Sequence, residues 1–195
     1  MEKKNQNSSY AFKGYFLPNN SLIISLIGIF AALICVFTLL IRIPVPATTG
    51  YINIGDFGVM FTGLLFGPII GGIAGGLGSA IADIIGFPQF AIPTLIIKGL
   101  EGFFVGLIAN PKRESSRIGF RDIIAVLIGG SIMAIGYFVV EIFMYGLSAA
   151  LIEVPGNLFQ LLFGMVTSLI LITTARKSIV NNLTQVFDKI FIKLE

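Results

Sequence analysis

An apolar segment over residues 21–43 constrains the fold of this chain more than any other feature. Its single charged residue, Arg42, stands near the far end. A helix rises about 1.5 Å per residue, so a segment of this length spans the hydrocarbon core of a bilayer, which is roughly 30 Å thick. The whole chain has a mean hydropathy of +0.94 and only 12% charged residues, unlike a soluble domain. We therefore expect an integral membrane protein.

Glycine and proline divide the rest of the apolar sequence into helices. The sharpest predicted turns are Phe66-Gly67-Pro68, Gly86-Phe87-Pro88 and Glu153-Val154-Pro155-Gly156. We therefore expect an all-α bundle of six transmembrane helices, the second of which is short for a complete crossing. The six helices are predicted over residues 21–43, 54–66, 68–86, 91–109, 121–149 and 156–175.

The positions of the basic residues predict the orientation of this bundle. With six crossings, 11 of the 13 lysines and arginines fall on the same side of the membrane. Because basic segments stay in the cytoplasm, both termini are expected there, and the segment over 44–56 then faces outward. The 11 residues are Lys3, Lys4, Lys13, Lys112, Arg113, Arg117, Arg121, Arg176, Lys177, Lys189 and Lys193.

The two ends of the chain differ from the apolar middle. Apolar residues recur at helical spacing over 177–195, with lysine and aspartate between them, which predicts an amphipathic helix on the cytoplasmic face. A partly ordered tail is the alternative. The expected organisation is a cytoplasmic tail over residues 1–20, a membrane domain over 21–176 that binds the substrate, and the amphipathic segment over 177–195.

Small residues repeat every four positions in the predicted third helix, at Gly67, Gly71, Gly75 and Ser79. Such a row lets two helix backbones approach closely inside a membrane, where lipid offers no hydrophobic driving force for association. We expect this row to pack within the bundle.

Five charged residues fall inside predicted membrane helices, although each costs a few kcal/mol at the bilayer centre. Each therefore needs a partner or a polar cavity. Lys98 and Glu101 are three residues apart, so they can pair with each other or contact a ligand. Glu141 has no basic residue near it in sequence and is expected to line a cavity. The five are Asp56, Asp83, Lys98, Glu101 and Glu141.

The polar residues near the outer helix ends are expected to form one outward-facing chamber that binds a small molecule. Asn157 has a second interpretation, as the cap of a helix. A chamber with more carboxylates than cations favours a ligand with an amine, a pyridine-type nitrogen or several hydroxyls. The predicted substrate-binding residues are Tyr51, Asn53, Asp56, Gln89, Lys98, Glu101, Glu141, Tyr145, Asn157 and Gln160.

Four motifs in the chain resemble those of the substrate-binding membrane subunit, or S component, of an energy-coupling factor (ECF) vitamin transporter. They occupy residues 44–56, 65–83, 97–102 and 155–160. The chain is similar to the riboflavin-type subfamily and to subunits for hydroxymethylpyrimidine or pyridoxine-type compounds. The resemblance implies tight binding of a B vitamin or its precursor from outside. It also implies docking on a membrane coupling subunit and two ATPase subunits, in the cytoplasmic membrane of a bacterium.

In this family an Ala-x-x-x-Ala pattern in the first helix receives the coupling subunit. The matching pairs here are Gly28 with Ala32 and Ala31 with Cys35, and these residues can instead pack within the bundle. The sequence has no Gly-x-x-x-x-Gly-Lys-Ser/Thr phosphate loop, so ATP hydrolysis is expected in the partners, with no cofactor or metal on this chain.

Two other functions stay open at this point. An intramembrane enzyme is disfavoured because the chain has no histidine and no recognisable nucleophile. A stand-alone secondary transporter is disfavoured because the two halves show no convincing internal repeat.

Overall fold

The computed structural model describes residues 11–111, 118–182 and 190–191. Five of its helices are long and apolar enough to cross a membrane, and one 12-residue helix is apolar but shorter. This confirms a mostly helical integral membrane fold, whereas six complete crossings and the cytoplasmic side of the termini remain predictions. The helices are α1 (Ser21–Leu40), α2 (Gly55–Phe66), α3 (Pro68–Gly86), α4 (Ala91–Ala109), α5 (Phe120–Tyr145) and α6 (Leu147–Asn182).

Two short hairpins accompany the helices. Strands β1 (Ala11–Phe12) and β2 (Tyr15–Phe16) precede α1, and the antiparallel strands β3 (Arg42–Val45) and β4 (Gly50–Asn53) connect α1 to α2. The predicted end of the first helix at residue 43 is therefore wrong, because α1 ends at Leu40. Prolines in β3 and just after it explain the change, since a residue before proline favours extended backbone.

The boundary between the fifth and sixth helices also differs from the prediction. The break lies at Gly146, which adopts a φ of 86° and so ends α5 in a conformation that favours glycine. The expected turn over 153–156 is absent, and Pro155 lies inside α6. Proline removes one intrahelical hydrogen bond. Transmembrane helices tolerate this because neighbouring groups can satisfy the freed backbone carbonyl. Glu153 consequently lies on a helix rather than in an external turn.

The glycine row of α3 packs within the bundle, as predicted, and its partner is α4. A Cβ built on Gly71 would lie 2.8 Å from the carbonyl oxygen of Gly102, and one on Gly76, beside the row, would lie 2.7 Å from that of Leu95. No side chain fits at these distances, so the two backbones are in contact. This close approach fixes how deeply Lys98 and Glu101 on α4 lie in the bundle.

The end of the bundle opposite the β3–β4 hairpin is joined by a buried ion pair. Both terminal nitrogens of Arg176 lie 2.8 Å from oxygens of the Asp122 carboxylate, and Nη2 also donates to the carbonyl oxygen of Leu64 at 2.8 Å. These bonds connect α6, α5 and α2.

Several predicted features lie partly or wholly outside the described residues. They include the amphipathic segment beyond Asn182, apart from residues 190–191, and the tail over residues 1–10. α6 continues through Asn182, past the predicted end at residue 175. The basic residues outside the described part are Lys3, Lys4, Lys112, Arg113, Arg117, Lys189 and Lys193.

Candidate functional site

A cavity lies between the β3–β4 hairpin and the adjoining ends of α3 to α6. It contains about 330 Å³ of atom-free space, part of which is open to the outside. Its wall combines carboxylates, amides and hydroxyls with aromatic rings, and no lysine or arginine is among the lining residues in the part of the chain described. The lining residues are Gly50, Tyr51, Asn53, Asp83, Phe90, Thr94, Tyr137, Glu141, Glu153, Asn157 and Gln160.

The hairpin is attached to α3 on one side of the cavity. The Tyr51 hydroxyl donates a hydrogen bond to Asp83, and its ring stacks on Phe87 with centroids 4.3 Å apart. The guanidinium of Arg42 lies 4.9 Å from the Tyr51 ring and donates to the carbonyl oxygen of Ala82 at 2.7 Å. Burial and the neighbouring Asp83 carboxylate raise the pKa of Tyr51. Its hydroxyl therefore remains a donor at neutral pH.

The other side of the hairpin is attached to α6. The hydroxyl of Thr48 donates to the Glu153 carboxylate, and the backbone N–H of Asn53 donates to the side-chain oxygen of Gln160. These four residues are all buried. The hairpin therefore closes the cavity through polar bonds to two different helices.

Two cavity residues have unsatisfied polar atoms. Glu141 is 2% exposed and Asn157 is 5% exposed. The Oε2 atom of Glu141 and the Nδ2 atom of Asn157 have no hydrogen-bond partner among the described residues. A buried polar atom left unpaired costs about 1–3 kcal/mol. An acceptor and a donor on one wall are therefore available to a bound molecule.

A buried group of three charged residues, which we call the triad, lies beside the cavity. Lys98 donates to the carboxylates of Asp56 and Glu101, the latter at 3.0 Å. The Lys98 ammonium lies 5.6 Å from the centroid of the Tyr137 ring, and the Tyr137 hydroxyl is 2.9 Å from that of Thr94. Tyr137 therefore separates the triad from the cavity. The three residues pair with one another and do not line the cavity, so their contact with a ligand remains a prediction.

The structure brings five of the ten predicted binding residues to the cavity wall: Tyr51, Asn53, Glu141, Asn157 and Gln160. Two others contact the hairpin instead. The Nε2 atom of Gln89 lies 3.5 Å from the carbonyl oxygen of Thr49. The hydroxyl of Tyr145 lies 3.1 Å from the hydroxyl of Thr49.

Several lining residues are absent from the predicted set. Glu153 falls in a predicted turn because Pro155 follows two positions later, and Thr94 carries no sequence pattern that marks it. Tyr137 had a usable signal, since it lies one helical turn before Glu141.

The small residues of α1 divide between two faces. Gly28 and Ala32 are exposed, and a Cβ on Gly28 would meet nothing within 4 Å in the described part of the chain. Ala31 is buried against α3, where Gly78 contacts its carbonyl oxygen, and Cys35 is half-buried. Of these two pairs, the Gly28–Ala32 pair lies on an exposed face of α1 among the described residues.

A multi-pass helical bundle with a small polar and aromatic cavity beneath a hairpin defines a membrane protein that binds a small ligand. The sequence matches the family model described as "ECF-type riboflavin transporter, S component" over residues 19–177. The chain belongs to this family, which confirms the resemblance found in the sequence. It is a substrate-binding subunit of a vitamin or vitamin-precursor transporter, and the family is one of transport subunits rather than enzymes.

Three relatives are similar in sequence to this chain. A protein of Pyrococcus woesei described only as uncharacterized is 41% identical over 133 residues, which cover 68% of this chain and 87% of the relative. The thiamine precursor transporter HmpT of Lactococcus lactis subsp. cremoris is 29% identical over 150 residues, which cover 76% of this chain and 84% of the relative. A UPF0397 protein of Exiguobacterium is 29% identical over 159 residues, which cover 76% of this chain and 87% of the relative.

Proposed function

We propose that this protein binds a single-ring nitrogen heterocycle, a hydroxymethylpyrimidine-like or pyridoxine-like vitamin precursor, and delivers it for ATP-driven uptake. The observation that carries this proposal is the unsatisfied pair on the cavity wall. Glu141 offers an acceptor oxygen, and Asn157, which lines the same cavity, offers an amide donor. An aminopyrimidine presents the complement, an amino group that donates next to a ring nitrogen that accepts.

The charge of the cavity supports a ligand rich in donors. The cavity is lined by three carboxylates, Asp83, Glu141 and Glu153. Hydroxyls of the hairpin already donate hydrogen bonds to Asp83 and to Glu153. Glu141 is therefore the carboxylate with a free oxygen for the ligand. The rings of Phe90 and Tyr137 offer apolar faces for a planar heterocycle.

The descriptions of a relative and of the matching family name two substrate candidates. The relative from Lactococcus lactis is described as a thiamine precursor transporter, which agrees with this class. Riboflavin is the second candidate, because the description of the matching family names it.

Uptake requires partners that supply energy. We propose that a membrane coupling subunit docks on the exposed Gly28–Ala32 face of α1 and that two ATPase subunits hydrolyse the ATP. The open space above Gly28 supports this surface. The site of action is then the cytoplasmic membrane, with the hairpin facing outward and both termini inside.

The test is a binding measurement on the purified full chain with hydroxymethylpyrimidine, pyridoxine, thiamine and riboflavin. A ligand at about 1,000 times its Kd adds about 4 kcal/mol to the folded state, so thermal shift ranks the compounds before calorimetry gives the affinities. We expect tight binding of the aminopyrimidine, weakened at least tenfold by Glu141→Gln and by Asn157→Ala.

Thr173→Ala, on the exposed part of α6, is the control and should bind normally. Preferential binding of riboflavin would establish the second candidate. Absence of binding to all four compounds would reject this substrate class.

A further inference from the structure

The charges of the triad do not balance. Lys98 contributes one positive charge, whereas Asp56 and Glu101 contribute two negative charges when both are ionised. Lys98 is 2% exposed, and the two acids are 0% exposed. A net charge held this deep in a membrane bundle is strongly unfavourable unless another group neutralises it.

The same three residues also leave two acceptor atoms without a donor. Neither Asp56 Oδ2 nor Glu101 Oε1 has a hydrogen-bond partner among the described residues. The carboxyl groups of Asp56 and Glu101 are adjacent, because both accept from the same Lys98 ammonium. Two carboxylates can only accept, so they repel each other, whereas a protonated carboxyl donates through its O–H. One proton would both supply the missing donor and cancel the excess charge.

We propose that the triad is a proton-binding site that holds one proton on its pair of carboxyl groups in the folded protein. A metal cation fits less well, because the Lys98 ammonium already occupies the centre of the group and repels a second cation. Mg²⁺ and Ca²⁺ also need about six or more oxygen ligands, whereas the triad has two unpartnered oxygens. No metal-binding group of three or more His, Cys, Asp or Glu residues occurs in the part of the chain described.

In the part of the chain that the structure describes, neighbouring helices add no positive charge to the triad. α5 presents the Tyr137 ring to Lys98, and α6 presents Gly164 against Asp56. Asp83 on α3 is a further acid that interacts electrostatically with Lys98. The surroundings therefore increase the need for a proton. When protonated, the site is neutral and joins the first turn of α2 to α4. Because α2 follows the hairpin directly, the proton helps to hold the cavity roof in place.

Infrared spectroscopy of the purified full chain tests this site, because a protonated carboxylic acid absorbs at a different frequency from an ionised carboxylate. We expect Glu101→Gln and Asp56→Asn each to remove one component of the protonated-acid band at neutral pH, a component that shifts in deuterium oxide, since either change leaves one carboxylate paired with Lys98. Glu141→Gln is the control and should retain this component, whatever other buried carboxyl groups contribute to the band. A wild-type spectrum without the band, or a band that both triad variants leave unchanged, would overturn the proposal.

Thermal stability gives a second readout that does not depend on band assignment. The folded state binds one proton more than the unfolded state, so wild-type stability should fall as the pH is raised. Glu101→Gln keeps the neutral charge and should flatten this dependence. Stabilisation by sodium chloride over choline chloride, lost in Glu101→Gln, would instead assign a bound metal cation and reject the proton.

Discussion

The hydroxyl of Thr48 in the β3–β4 hairpin donates a hydrogen bond to the carboxylate of Glu153 in α6, 105 positions later in the chain. Both residues are buried, at 0% and 4% exposure. Because Glu153 lies in a helix rather than in an external turn, its carboxylate needs a donor from another element. The hairpin supplies this donor and is thereby held over the cavity.

Thr48→Ala should loosen the hairpin. The change leaves a buried carboxylate oxygen without its donor, at a cost of about 1–3 kcal/mol. We expect faster dissociation of the bound ligand, measured by stopped-flow or surface-based kinetics, with a smaller effect on its association. Thr48→Ser, which keeps the hydroxyl that donates to Glu153, is the matched control. Equal dissociation rates for the two variants would show that the bond to Glu153 does not hold the hairpin.

Tyr51→Phe should separate the two contacts made by the Tyr51 side chain. The variant keeps the stack on Phe87 but removes the hydrogen bond to Asp83. Loss of a hydrogen bond to a charged group corresponds to about 1.5–3 kcal/mol, so we expect a lower Tm in detergent. Tyr51→Leu should lower it further, since the aromatic contact is also lost. An unchanged Tm for Tyr51→Phe would mean that water replaces the phenol without cost.

Gly28→Leu and Ala32→Leu should abolish uptake in cells while leaving ligand binding by the purified protein intact. Both residues lie on the open face of α1, so a large side chain blocks a partner without disturbing the bundle. Ser131→Leu, a similar change at a half-exposed position on α5, is the control. Loss of both binding and uptake in the α1 variants would place these residues in the fold rather than at the docking surface.

Arg176→Gln should destabilise the protein more than the double variant Arg176→Gln/Asp122→Asn. The single change leaves the buried Asp122 carboxylate uncompensated, which costs about 3–5 kcal/mol. The double change removes both charges and should recover part of this loss. Thermal unfolding of the wild type, both single variants and the double variant measures the coupling. Additive effects of the two changes would contradict a direct interaction.

Much of the fold could be predicted because a membrane imposes simple requirements. Long apolar segments mark the helices that can cross, and the four-residue row that includes Gly71 and Gly75 marks a close helix contact. The break between α5 and α6 could not be placed in this way. Glycine and proline both indicate helix breaks, so Gly146 and Pro155 are equal candidates in the sequence. In the structure the helix breaks at Gly146 and continues through Pro155, and in this arrangement Glu153 accepts a hydrogen bond from the hairpin.

The candidate site was predictable only where a polar residue stands out against an apolar background. Glu141 and Gln160 are of this kind, and both line the cavity. Lys98 and Glu101 have the same signal in sequence, yet they form an ion pair away from the cavity wall. A charge in a membrane helix requires a partner, but its position in sequence does not specify whether that partner is a ligand or another side chain.

The sequence by itself determined the membrane class, the main helices and the family, because hydropathy and small-residue spacing are local properties of the chain. The tertiary structure alone decided which polar groups pair with one another and which remain unsatisfied. Hydrogen bonds such as that from the Asn53 backbone to Gln160 join residues 107 positions apart. Only the folded chain brings such groups within bonding distance, and the unsatisfied atoms of Glu141 and Asn157 are what remains after those pairings form.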